Sequence, residues 1–156
     1  DTHGHLDHTA GNAQARDATG APILAPKPDW DLILRPAQWV LELMDAVGGY
    51  QPLQPDGDLT HGQTITFGNC SLEVLATPGH TLGGVSFVGH GHIFTGDALF
   101  AGSVGRTDLS ESDPAAMTRT LAQIFCNLPD DLICHPGHGP ETTIGDEKRS
   151  NPFLRL

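Results

Sequence analysis

Cationic side chains are scarce in this chain: 8 Lys and Arg stand against 19 Asp and Glu, a formal charge of −11 over 156 residues. A surface of that sign repels polyanions, which argues against nucleic acid or an anionic lipid surface as a partner. No apolar run is long enough to span a bilayer, and the sequence reads as a cytoplasmic protein with no membrane partner. Cysteine is equally sparse. Cys70, Cys126 and Cys134 are an odd set that suits a reduced interior better than a disulfide framework. Aromatic residues make up only 6% of the chain, yet the 38% hydrophobic content still supports one core, and the length suits a single domain over residues 1–156. The first residue is Asp1, so a targeting segment, if one exists, lies outside what can be read here.

What the chain does have is histidine, concentrated at its start. The run Thr2-His3-Gly4-His5-Leu6-Asp7-His8 crowds imidazoles and a carboxylate into a few residues. A regular helix or strand cannot point all of them one way, whereas a loop can converge them on one or two cations. Expression tags and solvated linkers are also His-rich. A tag, however, is a run of His, and this segment mixes His with Asp, Gly and Leu and leads straight into a globular pattern. Two divalent cations would offset about four of the negative charges, so the acidity suits a metal protein.

Helices alternate with strands along the rest of the chain, which makes the class mixed α/β. The spacing predicts a helix over 9–19 closed by Gly20, a brief strand over 21–25, and loop over 26–30. A second helix is expected over 36–47, with Trp39, Leu43 and Val47 at helical spacing as core residues. Strands follow over 63–67 and 71–77 around a Gly68-Asn69 hairpin, and over 85–88 and 92–95. Asp113 caps a helix whose Met117, Leu121, Ile124, Phe125 and Leu128 form an apolar stripe. A strand over 131–134 and a short polar helix over 145–150 complete the pattern. The thiols of Cys70, Cys126 and Cys134 all read as small buried side chains.

Three of these strands run into a metal-liking residue: Pro78-Gly79-His80, Gly96-Asp97 and His135-Pro136-Gly137-His138. Gly and Pro turn the chain where each side chain must face a shared centre. Rigid strands presenting ligands from their ends are a common way to position such sites. The Pro136-Gly137 turn is expected to point His135 away from His138, and His61, His90 and His92 read as solvated turn residues. Arg106, in a Gly-rich loop, has two readings: a partner for a substrate carboxylate, or a loop-holding pair with Asp108 or Asp113. Lys148 and Arg149 read as surface charge.

With these residues in view, the chain resembles the metallo-β-lactamase superfamily in its glyoxalase II-like branch. His3, His5, Asp7 and His8, followed by His80, Asp97 and His138, match that family's metal positions in type and order. The segments 96–108 and 136–154 are similar to small, single-domain bacterial hydrolases that lack a glutathione-binding helical extension. The resemblance implies that His3, His5 and His80 hold one divalent metal, that Asp7, His8 and His138 hold a second, and that Asp97 bridges both. Zinc is the first choice of metal, with iron or manganese as alternatives. Asp7 and Asp97 are then the catalytic residues, a bridging water polarised by the two cations becomes the attacking hydroxide, and the implied substrate is a small thioester such as hydroxyacylglutathione, or another acyl compound. Oligomeric state stays open.

The resemblance also has rivals. A mononuclear iron persulfide dioxygenase would use His3, His80 and Asp97 alone, and a non-catalytic metal-binding fragment would use the ligands without turnover. Family members carry several strands ahead of the His cluster, while here it begins two residues after Asp1. The expected fold is therefore a metallo-β-lactamase-like αββα sandwich with its N-terminal strands missing from this chain. Removed strands would bare apolar sheet surface, so poor stability of the piece alone is expected.

Overall fold

The computed structural model describes residues 1–45 and 49–155; the side chains of Trp39 and Leu43 also lie outside the described residues. The expected core role of Trp39, Leu43 and Val47 therefore falls outside them.

The His cluster opens as loop and turns into a single helical turn, α1 (Leu6–Thr9), so Asp7 and His8 ride on a helix while His3 and His5 do not. The predicted continuous helix is instead broken after α1, and α2 (Asn12–Thr19) follows. It ends as expected at Gly20, whose left-handed φ of 70° lets its N–H reach the Arg16 carbonyl. The brief strand over 21–25 reduces to one bridge, Leu24 with Gly57. The predicted loop over 26–30 winds into a 3-10 turn (Lys27–Asp29) leading directly into α3 (Trp30–Leu34), with α4 (Gln38–Asp45) after it.

Six strands then form one sheet in sequence order: β1 (Thr64–Phe67), β2 (Cys70–Ala76), β3 (Val85–Gly89), β4 (His92–Gly96), β5 (Ile133–Pro136) and β6 (Thr142–Thr143). β1 to β4 pair antiparallel, with Phe67 opposite Cys70 across the predicted hairpin. β4 and β5 pair in parallel, joined through α5 (Pro114–Gln123), and β6, which sequence patterning misses, turns back antiparallel on β5. α6 (Ile144–Ser150) closes the chain.

Alternation along the strands separates two faces. Leu75, Ile93 and Cys134 point to one, where Met117, Leu121 and Phe125 of the α5 stripe, with Ile144 and Leu154, bury against them. The other face holds a smaller cluster of Leu59, Val74 and Val85. Phe67, Phe94 and Ile133 are 52%, 41% and 37% exposed. No second sheet is present among the described residues, so one sheet and its helical layer are what the αββα expectation finds here. No described helix is long and apolar enough to cross a membrane.

Strand direction decides where the site forms. β3 reverses the chain and β4 reverses it again, so β2, β4 and β5 run the same way and their C-terminal ends share one edge of the sheet. β3 starts at that same edge, and its Val85 N–H donates to the Thr2 carbonyl at 2.8 Å, docking the His-rich loop there.

Candidate metal centre

At this edge the strand-end residues His80, Asp97 and His138 meet His3, His5, Asp7 and His8. Two groups can each offer donor atoms lying within 4.8 Å of one another: His3, His5 and His80, and Asp7, His8 and His138. His3, His8 and Asp97 form a third such group. In the first group His5 Nδ1 lies 2.9 Å from His80 Nε2. In the second, His8 Nε2 and His138 Nε2 are 3.3 Å apart, and Asp7 Oδ2 is 3.1 Å from His138 Nε2. Asp97 sits between them, with Oδ2 3.4 Å from His80 Nε2 and 3.5 Å from His138 Nε2, and Oδ1 3.3 Å from His8 Nε2.

Gly137 makes this approach possible. A Cβ there would overlap Asp97 Oδ1 and come within 2.7 Å of the His8 ring, so the turn before His138 must be bare. Exposure is graded across the cluster. His3 and His80 are buried, whereas Asp7 and His138 are more than half exposed, so the second group faces solvent.

In the first group, the ring nitrogens that face away from the cluster are each held. His3 Nδ1 lies 3.1 Å from the Thr2 hydroxyl, and His80 Nδ1 lies 2.9 Å from the Arg106 carbonyl. His5 Nε2 is 2.8 Å from Glu111 Oε1. The carbonyl and the carboxylate only accept, so they set the tautomers of His80 and His5 and leave the opposite lone pair for a cation, while the Thr2 hydroxyl orients the His3 ring. Burial pushes Glu111 up, but hydrogen bonds from Ser110 and His5 outweigh it and the carboxyl ends below its usual value. Burial, reinforced by the neighbouring His8, His5, His80 and His138, lowers His3 to about 2 and keeps its imidazole neutral. His8 is also lowered by burial, against the opposing pull of Asp97 and Asp7.

Two buried polar atoms at the heart of the cluster, His3 Nε2 and Asp97 Oδ1, have no hydrogen-bond partner. Orphaned buried acceptors are costly unless something positive satisfies them. A neutral imidazole nitrogen and a carboxylate oxygen together suit a divalent cation, so the donor set fits a metal.

Other candidates settle elsewhere. The Arg106 guanidinium donates to both Asp108 oxygens at 2.9 and 3.0 Å, the loop-holding alternative, while its backbone carbonyl is the part that meets His80. His135 indeed turns from His138: it stacks on Phe94 and His92 and lies 3.0 Å from Glu141. His92 is thus half-buried and paired rather than solvated, whereas His61 and His90 are exposed and accept backbone N–H groups. Cys134 is buried as expected, and burial raises its thiol to about 12. Cys70 is exposed instead, because it opens β2 directly after the hairpin at the sheet's edge. Lys148 is committed to the Leu128 carbonyl and Asp130, and Arg149 to Asp146. Glu111 had no sequence signal: it lies in an irregular loop far from any ligand motif.

Comparison with known proteins adds a family. A model of the Metallo-beta-lactamase superfamily matches residues 2–149. The chain is 35% identical to Hydroxyacylglutathione hydrolase GloC of Haemophilus influenzae, over 98% of this chain and 73% of that protein. Among solved structures, BLEG-1 B3 metallo-beta-lactamase matches at a TM-score of 0.87 and 33% identity, over 99% of this chain and 75% of the other. The structure of TTHA1623 in a di-iron-bound form matches at 0.82 and 38% identity, over 98% and 75%.

Proposed function

The chain belongs to the metallo-β-lactamase superfamily, and we propose that it is a dinuclear metal-dependent hydrolase that cleaves a thioester such as hydroxyacylglutathione. One observation carries this reading: two donor groups lie side by side with Asp97 between them, and one of the two faces solvent. In it His3, His5 and His80 would hold the first ion and Asp7, His8 and His138 the second, with Asp97 placed to serve both. Two divalent cations, when bound, supply Lewis acidity that brings a shared water toward ionisation near neutral pH and polarises the acyl carbonyl. Zinc is the first choice, and the di-iron form of TTHA1623 makes iron the alternative to test.

The protein's own groups then have defined tasks. Glu111 and the Arg106 carbonyl hold His5 and His80 in the tautomer that presents a free lone pair, and the Thr2 hydroxyl orients the His3 ring. Asp7 and Asp97 bring negative charge to the cations and orient the donors around them. The exposed side of the cluster, by His138 and Asp7, is where an acyl substrate enters. Water activated by the cations would supply the attacking oxygen and a thiolate leaves readily, so neither a Ser nor a Cys nucleophile is required. Consistent with that, Cys134 is buried with a raised pKa, the opposite of an activated thiol.

The relative in Haemophilus influenzae, named for hydroxyacylglutathione hydrolysis, supports the choice of substrate. A mononuclear iron dioxygenase on His3, His80 and Asp97 would leave the Asp7, His8 and His138 group idle, which disfavours it. The test is a metal-loaded sample offered hydroxyacylglutathione, a panel of other thioesters, a lactam and a glutathione persulfide. Release of free thiol without oxygen uptake is expected. One iron per chain with oxygen consumption on the persulfide contradicts the proposal, and so does full metal occupancy with no hydrolysis at all.

A further inference from the structure

Asp29, at the end of the 3-10 turn before α3, is only 1% exposed, and no ion pair records a cation beside it among the described residues. Its two carboxylate oxygens are divided between two loops. Oδ2 accepts the Gly4 N–H at 3.0 Å, and Oδ1 accepts the Gly83 N–H at 2.7 Å. Gly4 lies between His3 and His5, and Gly83 follows His80 by three residues. One buried carboxylate therefore ties together both segments that carry the first donor group.

The glycines belong to this tie. A Cβ on Gly83 would stand 2.6 Å from Asp29 Oδ1 and 2.7 Å from its carboxyl carbon. A Cβ on Gly4 would stand 2.6 Å from the Asp29 carbonyl oxygen and 2.9 Å from the Asp29 Cβ. Neither glycine has a left-handed φ, so what each position demands is close approach and not an unusual backbone. Folding buries a carboxylate only where its oxygens are satisfied, and here backbone donors from opposite sides of the donor group satisfy it.

Resting on the metal assignment above, we propose that Asp29 is a positioning residue for the first metal. By holding Gly4 and Gly83 against one another, it sets the distance between the His3–His5 segment and His80, and with it the affinity of that group for a divalent cation. Asp29 touches neither cation nor substrate. A carboxylate that merely stabilised the fold would affect melting of the metal-free protein and leave metal affinity alone. A positioning carboxylate changes the affinity itself.

The experiment is a chelator-competition titration with cobalt(II) and zinc(II) on the wild type, Asp29→Asn and Gly83→Ala, with melting of each metal-free protein measured alongside. Asn keeps the shape but turns an amide N–H₂ toward one of the two backbone donors. The expected result is a loss of roughly 10- to 100-fold in affinity at the first site, the range for outer partners of metal ligands, with the second site changed far less. Gly83→Ala retains both oxygens and displaces the loop, so it is expected to weaken the same site. In Asp29→Ala the space opens, and adding Gly83→Ala is expected to cost little further affinity. Unchanged first-site affinity in Asp29→Asn, or in Gly83→Ala should the Asn variant not fold, overturns the proposal even if melting falls. The parent reading fails separately. If the wild type takes up one ion, the dinuclear assignment is wrong, while the response of that ion to Asp29→Asn still decides the role of Asp29.

Discussion

Single atoms carry much of the case for a metal centre. His3 Nε2 and Asp97 Oδ1 are buried acceptors without partners, in a cluster where the outward ring nitrogens of His3, His5 and His80 are held from outside. Glu111 is the most informative of those outer groups because it can be changed without touching a ligand. Glu111→Gln keeps an oxygen to accept the His5 Nε2–H, so its metal affinity is expected to stay within a few fold of wild type. Glu111→Ala removes the acceptor, frees the ring to take the wrong tautomer, and is expected to weaken binding about 10- to 100-fold in a competition titration. Equal affinities for Ala and Gln would show that the contact at 2.8 Å does not orient His5. The thiols make a second residue-level prediction. Cys70 is exposed and Cys134 buried with its pKa raised to about 12. A maleimide at neutral pH is expected to label Cys70 rapidly and Cys134 only after unfolding.

Elements position these atoms, and the sequence shows most but not all of how. The hairpin at Gly68-Asn69, the Asp113 cap and the α5 stripe are local signals, and each lands where the spacing puts it. Asp113 accepts from both Ala115 and Ala116 N–H at 2.9 Å, so Asp113→Ala is expected to cost about 1 kcal/mol in a denaturant melt. Phe125, at 0% exposure, lies just past the α5 terminus in the main core, and Phe125→Ala is expected to cost about 3–5 kcal/mol. Other features were beyond reach of a local reading. Gly11 interrupts the first expected helix although no Pro marks the break. β6 is two residues long, too short for any periodicity. That His80, Asp97 and His138 end parallel-running strands on one edge depends on β3 reversing between them, which spacing alone does not state. Glu111 and Asp29 reach the centre only through tertiary contacts, so neither had a motif to announce it.

For the whole molecule, the buried imidazole of His3 links acidity to stability. In an unfolded chain this group titrates near 6.5, and in the folded protein near 2. Between those values the unfolded chain binds a proton that the folded chain refuses. The contribution is complete above pH 6.5 and is lost as pH falls below it, at about 1.4 kcal/mol per pH unit for this group alone. His8 moves in the same direction. The metal-free protein is therefore expected to melt at a lower temperature at pH 5 than at pH 7.5, with His3→Gln showing a shallower dependence. Identical melting temperatures at the two pH values would contradict the burial argument. The sheet adds a further whole-molecule property. Phe67, Phe94 and Ile133 stand exposed along the face opposite α5.

A dinuclear centre requires Asp97 to hold two cations together. Strip the protein with a chelator, reload it with excess zinc, remove loose metal by gel filtration, and count ions per chain by mass spectrometry for wild type and Asp97→Ala. Two ions for the wild type and at most one for the variant, with thioester turnover lost, is the predicted outcome. A wild type retaining a single ion, or an Asp97→Ala protein that keeps both ions and full turnover, contradicts it.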